Sequence, residues 1–406
     1  MSHRLITADR VVTAPGEPVV PHGAVLVDGD TIVAVGTAAD LEPVARDAER
    51  WDVRGGTVQP GLLNAHVHLS FRVDDDPVPS LRDRDHDALR RAIAANARAC
   101  VEAGVTTVRD LGDRDGLVSA FRDDVAAGRA DGPRVLTAQS PLTVAGGHCW
   151  FLGGEIDVDA HPSDVVLAIR DAVTRRAAAG ADVIKVMAGG GRMTPSGAPM
   201  WQSQFGLRDL RAVVDAAAGH GLPVAAHAHG THAMGLAARA GVTTIEHGGW
   251  HTAPGPDGGT AHFCDDAVAE AIAASGAVVV PTRFRGWRDW PADAGLQGQI
   301  DRTHWSRGHG IAMIAGNDAG VGRGWFDDLT DALTYYRAAG VPAAEVLDMA
   351  TTGAAAALGV GDRTGRLAPG LAADVLAVGG DPLADTDALR DVRGVLAAGR
   401  AVRTPA

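Results

Sequence analysis

The sequence predicts an α/β fold: a (β/α)8 TIM barrel carrying a small discontinuous β-sandwich domain formed by both termini. Three observations lead there. Between residues 57 and 360, apolar runs alternate with alanine-rich amphipathic stretches, the signature of βα units and a parallel sheet. There are eight such runs, the number that closes a barrel. Short β-like runs separated by turn residues occupy both ends of the chain, and neither end has enough strands to cover its own apolar face.

Residues 1–56 supply the first part of the expected sandwich, with runs at Leu5-Ile6, Val11-Val12-Thr13, Ala24-Val25-Leu26-Val27 and Thr31-Ile32-Val33-Ala34-Val35. The last two are joined by the turn Asp28-Gly29-Asp30. The barrel is expected over 57–360, with strands at 58–69, 105–111, 134–138, 183–188, 223–229, 243–247, 277–281 and 311–318. Helices are expected over 87–103, 163–179, 207–220 and 231–240, several with Ser, Thr or Asp at the cap position. Residues 361–406 return to short strands and complete the sandwich, with a turn at Ala398-Gly399-Arg400.

The formal net charge is −13 and the sequence pI is near 5.6. The charges are interspersed, and no basic patch of the kind nucleic acid demands is present. The first residues, Met1-Ser2-His3-Arg4-Leu5-Ile6-Thr7, lack the apolar segment of an export signal. No stretch reaches the roughly 18 uninterrupted apolar residues of a membrane span. Cys100, Cys149 and Cys264 are odd in number and far apart, which argues against a disulfide framework or a thiolate zinc site. The expectation is a cytoplasmic protein with no nucleic-acid or membrane partner; a homo-oligomer is left open.

Of the 37 basic residues, only Lys185 is a lysine. Arginine matches lysine as a surface cation but keeps its proton, whereas a buried amine can lose it. A neutral amine can add carbon dioxide and become a carbamate, an anionic oxygen ligand for metals. Lys185 lies in the apolar run Val183-Ile184-Lys185-Val186-Met187, which ends in Gly189-Gly190-Gly191. That is the pattern of a buried parallel strand opening into a loop. An incidental survivor paired inside the barrel is the alternative.

Active sites of such barrels lie at the C-terminal ends of the strands. There the sequence places His66 and His68 on strand 1, Lys185 on strand 4, His227 on strand 5, His247 on strand 6 and Asp318 on strand 8. Residues i and i+2 of a strand share a face, so His66 and His68 can reach one ion. Any one of these side chains is compatible with a satisfied polar group in a core. Five strands ending in ligand-type residues at one rim are hard to reconcile with that reading.

This set resembles the amidohydrolase superfamily in its binuclear-metal form. The phrase Val58-Gln59-Pro60-Gly61-Leu62-Leu63-Asn64-Ala65-His66 is similar to that family's first barrel strand, and Gly365-Arg366-Leu367-Ala368-Pro369-Gly370 to its return into the sandwich. The glycines 189–191, Pro199-Met200-Trp201 and Gly146-Gly147-His148 resemble the imidazolonepropionase-like and prolidase-type branch, and Lys185 favours its dipeptidase and amidase side.

The resemblance implies two divalent metal ions, most naturally Zn2+. His66, His68 and Asp318 would hold one, His227 and His247 the other, with carbamylated Lys185 bridging. It implies hydrolysis of a C–N amide bond in a small peptide-like or N-acylated substrate, such as an Xaa-Pro-like dipeptide or an N-acyl amino acid, by attack of a metal-bridging hydroxide. Asp318 would shuttle the proton, and His148 would sit near the substrate carbonyl. His229 stands where prolidase-type relatives often have tyrosine, a departure in a residue expected to touch substrate. A cyclic-amide hydrolase or a deaminase on the same fold is the alternative. A non-catalytic binding protein is the reading from another class, and the presence of all six ligand positions argues against it.

Arg192, Arg283 and Arg285 follow predicted strands and are candidates to pair with a substrate carboxylate, with a surface charge as the alternative for each. Trp150, Trp201, Trp250, Trp287 and Trp290 fall in predicted βα loops or their continuations. They suggest an aromatic-lined pocket, with Trp150 in direct substrate contact; packing of long loops is the alternative.

Overall fold

The first barrel strand, Leu62–Val67, and the second, Val105–Asp110, are buried along their whole length. Strands flanked by a filled barrel interior on one side and helices on the other are buried on both faces, so burial is continuous rather than alternating. The computed structural model describes residues 3–73, 77–82, 84–194, 196–255, 261–289 and 295–405. In it the chain closes the expected (β/α)8 barrel and adds a terminal sheet domain.

The parallel barrel strands continue through Arg134–Thr137, Ile184–Val186, Val224–Gly230, Thr244–Thr252 and Val278–Val280. Between the third and fourth, the ladder is carried by Asp182 N donating to Thr137 O and Leu142 N to Lys185 O. The eighth member, expected at 311–318, is not a continuous strand. It appears as isolated parallel bridges, Met313 to Val279, Gly316 to Thr282 and Ala319 to Val67. The left-handed φ of 54° at Asp318 interrupts the regular pleat there. The ring still closes, because Ala65 N donates to Ala315 O and Asp318 N to His66 O.

Helices fall on the outside as the patterning expects, and Thr231–Ala240 matches its predicted limits. Asp85 caps His86–Glu102 by accepting from Ala88 N, and Asp265 caps Asp266–Ser275 through Val268 N. Among the described residues no helix is long and apolar enough to cross a membrane.

Both termini enter one seven-stranded sheet. Its order is Arg400–Arg403, Val392–Ala397, Val375–Gly379, Glu49–Pro60, His3–Val11, Val20–Asp28 and Thr31–Thr37. Glu49–Pro60 runs parallel to His3–Val11 and antiparallel to Val375–Gly379, so the middle of the sheet stitches the two chain ends together. Alternation along Val375–Gly379 divides its side chains. Val375 and Ala377 pack with Ile6, Val25 and Trp51, whereas Leu376 and Val378 join the barrel cluster that holds Ile93, Cys100 and Val101.

The run expected as one strand over 58–69 is two. Thr57–Pro60 still pair with Val375–Val378 in the sheet, and the barrel begins after Gly61. The sheet therefore extends past the boundary expected at residue 56. Gly61 marks the change because a Cβ there would collide with the Thr106 side chain.

Candidate metal centre

His66, His68, Lys185, His227, His247 and Asp318 all line one cavity of about 600 Å3 at the C-terminal mouth of the barrel. Their strands dictate this: each side chain lies towards the C-terminal end of the barrel portion of its strand or just past it, facing the barrel mouth. His66, His68, His227, His247 and Lys185 are buried.

Hydrogen bonds orient the rings. His66 donates from Nδ1 to Glu246 Oε2 at 2.8 Å, because an ionised carboxylate can only accept. Its Nε2 then faces Asp318 Oδ1 at 3.2 Å, and His68 Nε2 faces the same oxygen at 3.3 Å. His227 donates from Nε2 to Gly190 O at 3.0 Å, leaving Nδ1 free. His247 Nδ1 lies 2.9 Å from Thr282 Oγ1. Anchoring one ring nitrogen while the other points into a site is how metal-ligating histidines are held.

Glu246 was not singled out from the sequence, and neither was Arg109. Glu246 sits next to His247, and neighbours on a regular strand face opposite ways. Here both reach His66: Glu246 through its hydrogen bond and His247 with its ring 5.1 Å away. The φ of 73° at His247 breaks the alternation that would have separated them. Arg109 donates to Glu246 Oε1 at 2.8 Å, to Thr244 Oγ1 at 3.0 Å and to Ala65 O at 2.8 Å, all in the barrel interior. A charged residue inside a strand buried at every position, Val105–Asp110, marks it in the structure.

The electrostatics favour neutral donors. Burial lowers the imidazolium form of His68, His227 and His247, and pulls His148 to about 4 and His229 to about 3. Burial likewise draws the Lys185 ammonium down to about 8, against the pull of Glu246 and Asp318. At neutral pH this raises the share of neutral amine by about two orders of magnitude. Burial alone would raise the Asp318 carboxyl, but the His66 and His68 imidazoles, whose Nε2 atoms lie 3.2 and 3.3 Å from Oδ1, hold it well below the usual range.

The residues fit a divalent cation. Lys185 Nζ, His68 Nδ1 and His148 Nδ1 are buried without a hydrogen-bond partner, a state that costs roughly 1–3 kcal/mol for each polar group. With Nδ1–H given to Glu246, His66 Nε2 presents a lone pair to a carboxylate oxygen, an arrangement that asks for a cation or a proton between them. Among the described residues, two groups bring ligand atoms within 4.8 Å of one another: His66, His247 and Asp318, and His227, His229 and His247.

Other expected site residues divide. His148, His229, Arg192 and Arg283 line the cavity. His148 is placed by its N–H donating to Gln204 Oε1 at 2.7 Å, and its ring lies 4.4 Å from that of His227. Gly191 must be glycine here, since a Cβ would strike the His148 ring.

Trp150 does not line the cavity and is 48% exposed. Its expected substrate contact is withdrawn: Cys149 takes a left-handed φ of 58°, burying its own side chain and turning Trp150 outward. Burial raises the Cys149 thiol to about 12, which suits a structural cysteine. Trp287 is in the core, donating from Nε1 to Asp331 O, and Arg285 pairs with Asp328. Trp201 does not line the cavity, Trp250 does, and Trp290 lies outside the described residues. The wall is less aromatic than expected and more basic: Arg302 and Arg323 join Arg192 and Arg283, and Asp318 is the one carboxylate among the described lining residues.

A family model described as the amidohydrolase family matches residues 57–402. The chain belongs to the amidohydrolase family. A shorter stretch, residues 23–48, matches the bacterial imidazolonepropionase-like composite domain. Among individual relatives of this amidohydrolase, ochratoxinase from Aspergillus niger is 28% identical, over 96% of this chain and 84% of that protein. Imidazolonepropionase from a Ruegeria species is 26% identical, over 88% and 86%. The crystal structure of a Xaa-Pro dipeptidase with bound methionine in its active site superposes with a TM-score of 0.81 at 27% identity, covering 98% of this chain and 99% of that one. These relatives place this amidohydrolase in the imidazolonepropionase and prolidase-like branch and make it a hydrolytic enzyme.

Proposed function

We propose that this amidohydrolase uses two zinc ions to cleave the C–N amide bond of a small peptide-like or N-acylated molecule, such as an Xaa-Pro-like dipeptide or an N-acyl amino acid. The observation that carries the reading is the convergence of His66, His68, Lys185, His227, His247 and Asp318 on one cavity. His66, His68 and Asp318 would hold one ion, His227 and His247 the other, and Lys185, as a carbamate, would lie between. When bound, such ions lower the pKa of water and polarise a carbonyl.

The chain's own residues supply the rest. Asp318, flanked by two imidazoles and kept ionised, is the base that takes the proton from the attacking water and hands it to the departing amine. His148, neutral and fixed from its backbone by Gln204, donates to the substrate carbonyl oxygen. Arg283 and Arg302 have no ion-pair partner among the described residues and face the cavity, so they suit an anionic end of the substrate. A volume of about 600 Å3 accommodates a dipeptide-sized molecule. A cytoplasmic setting agrees with three free cysteines.

The imidazolonepropionase relatives support a second reading, a cyclic-amide hydrolase. A hydrolysis screen across dipeptides, N-acyl amino acids and cyclic amides separates the two by product: two fragments from a linear amide, one ring-opened acid from a cyclic one. The Lys185→Ala protein is the control for contaminating hydrolases. Turnover of none of these classes by fully metallated protein, or equal turnover by the control, would reject both.

A further inference from the structure

His229 is a cavity imidazole to which the two-ion assignment gives no ligand role. It follows His227 by two residues on the strand Val224–Gly230, so the two side chains share a face. The His229 ring stands edge-on to His227, with centroids 4.8 Å apart at 85°, and lies 4.2 Å from His247 with the planes 18° apart. Among the described residues neither of its ring nitrogens has a hydrogen-bond partner. His227, by contrast, is anchored to Gly190 O and His247 to Thr282 Oγ1. An imidazole carries a donor and an acceptor, and those of the part-buried His229 stay available to a ligand in the cavity it lines.

The ligand atoms of His227, His229 and His247 all lie within 4.8 Å of one another. We infer that His229 is a third imidazole ligand of the second ion, so that this ion is held by His227, His229 and His247 rather than by two histidines. The assignment rests on the two-ion reading above. It replaces the substrate contact expected for His229 with a metal contact. Three imidazoles form a donor set that suits zinc and similar first-row ions. His251, whose ring is 5.7 Å from that of His229, belongs to neither ligand group and serves as the internal comparison.

The experiment measures metal content of the full-length protein by elemental analysis after dialysis against graded chelator, together with the absorption spectrum of the cobalt(II)-loaded form. Wild type, His229→Ala, His229→Gln and His251→Ala are compared, each checked for folding by circular dichroism. The expected result is two ions in wild type. Both His229 variants should keep the first ion and bind the second at least about tenfold more weakly, with the second site's cobalt bands altered. His251→Ala should behave as wild type, and added imidazole should restore the second ion to His229→Ala. If both His229 variants retain the second ion with wild-type affinity and spectrum, His229 touches substrate only and the inference is overturned. If wild type itself never holds a second ion, the two-ion reading fails and the inference falls with it, an outcome visible without any variant.

Discussion

Glu246 Oε2 accepts from His66 Nδ1 at 2.8 Å deep in the barrel, while Oε1 of the same carboxylate accepts from Arg109 at 2.8 Å. One buried acid thus aims a histidine of the candidate metal site and neutralises a buried guanidinium. Burial alone would raise the Glu246 carboxyl, but Arg109 and His66 bring it down to about 2. Glu246→Gln keeps the volume and removes the charge, stranding Arg109 without a counter-ion. Breaking one side of a buried pair costs about 3–5 kcal/mol, and loss of an orienting partner weakens metal binding by about 10–100-fold. Denaturant unfolding of the metal-free variant checks the first, and metal affinity in a chelator competition checks the second. Wild-type values in both would show the contact to be incidental. The double variant with Arg109→Met should recover much of the lost stability, because the stranded charge is then gone.

Lys185→Arg retains a cation at a fully buried site but cannot become a carbamate. Its metal content should fall from about two ions per chain to one or fewer, with hydrolysis lost. A fully metallated, active Lys185→Arg protein would refute the bridging role.

The candidate ligand set could be picked out of the sequence because each member closes an apolar run at the rim of the barrel. What periodicity could not show was backbone geometry. The left-handed turn at His247 lets Glu246 join the site from the apparently wrong face, and that at Cys149 turns Trp150 away from it. The apolar stretch from Val58 to Leu69 read as one strand because nothing in its composition announces that Gly61 passes it from one sheet to another. Residues 311–318 read as a strand from their apolar run, although the ladder there is only bridged.

Asp113 offers a test of stability away from the metal ligands. Its carboxyl is buried, Oδ1 has no partner, and burial raises it to about 7 despite hydrogen bonds such as that from Val118 N. A raised folded-state value means that stability is fully present below the ordinary value of 3.8 and is lost as pH rises towards 7. Asp113→Asn keeps an acceptor for Val118 N without a titrating group. Its stability relative to wild type should therefore grow between about pH 4 and pH 7, by at most about 4 kcal/mol. Unfolding curves that stay parallel across that range would remove Asp113 from the account.

His148→Ala should separate turnover from metal binding. The residue lies outside both ligand groups, yet its ring is 4.4 Å from that of His227 and lines the cavity. Loss of a hydrogen-bond donor to a developing oxyanion lowers kcat by about 100- to 1,000-fold. Metal content should stay at the wild-type level. Loss of an ion from the variant would instead make His148 a ligand.

Arg283 ties the basic wall of the cavity to substrate choice. Its Nε is buried and unpartnered, its guanidinium lies over the Tyr335 ring at 5.0 Å, and Arg302 lines the cavity with it. Burial lowers the Arg302 guanidinium, and the charge of Arg283 lowers it further, so the pair stands in mutual repulsion until an anion arrives. A charge-assisted hydrogen bond contributes about 1.5–3 kcal/mol, which corresponds to about 10–150-fold in affinity. Arg283→Met keeps the packing of the stem over Tyr335 and removes the charge. For a substrate ending in a free carboxylate, KM should rise by that factor with kcat little changed, and the same substrate with its carboxylate amidated should lose nothing. An equal rise in KM for both would mean that Arg283 shapes the wall rather than reading the anion. A fall in kcat for both would place it nearer the reacting bond than its position among the lining residues implies.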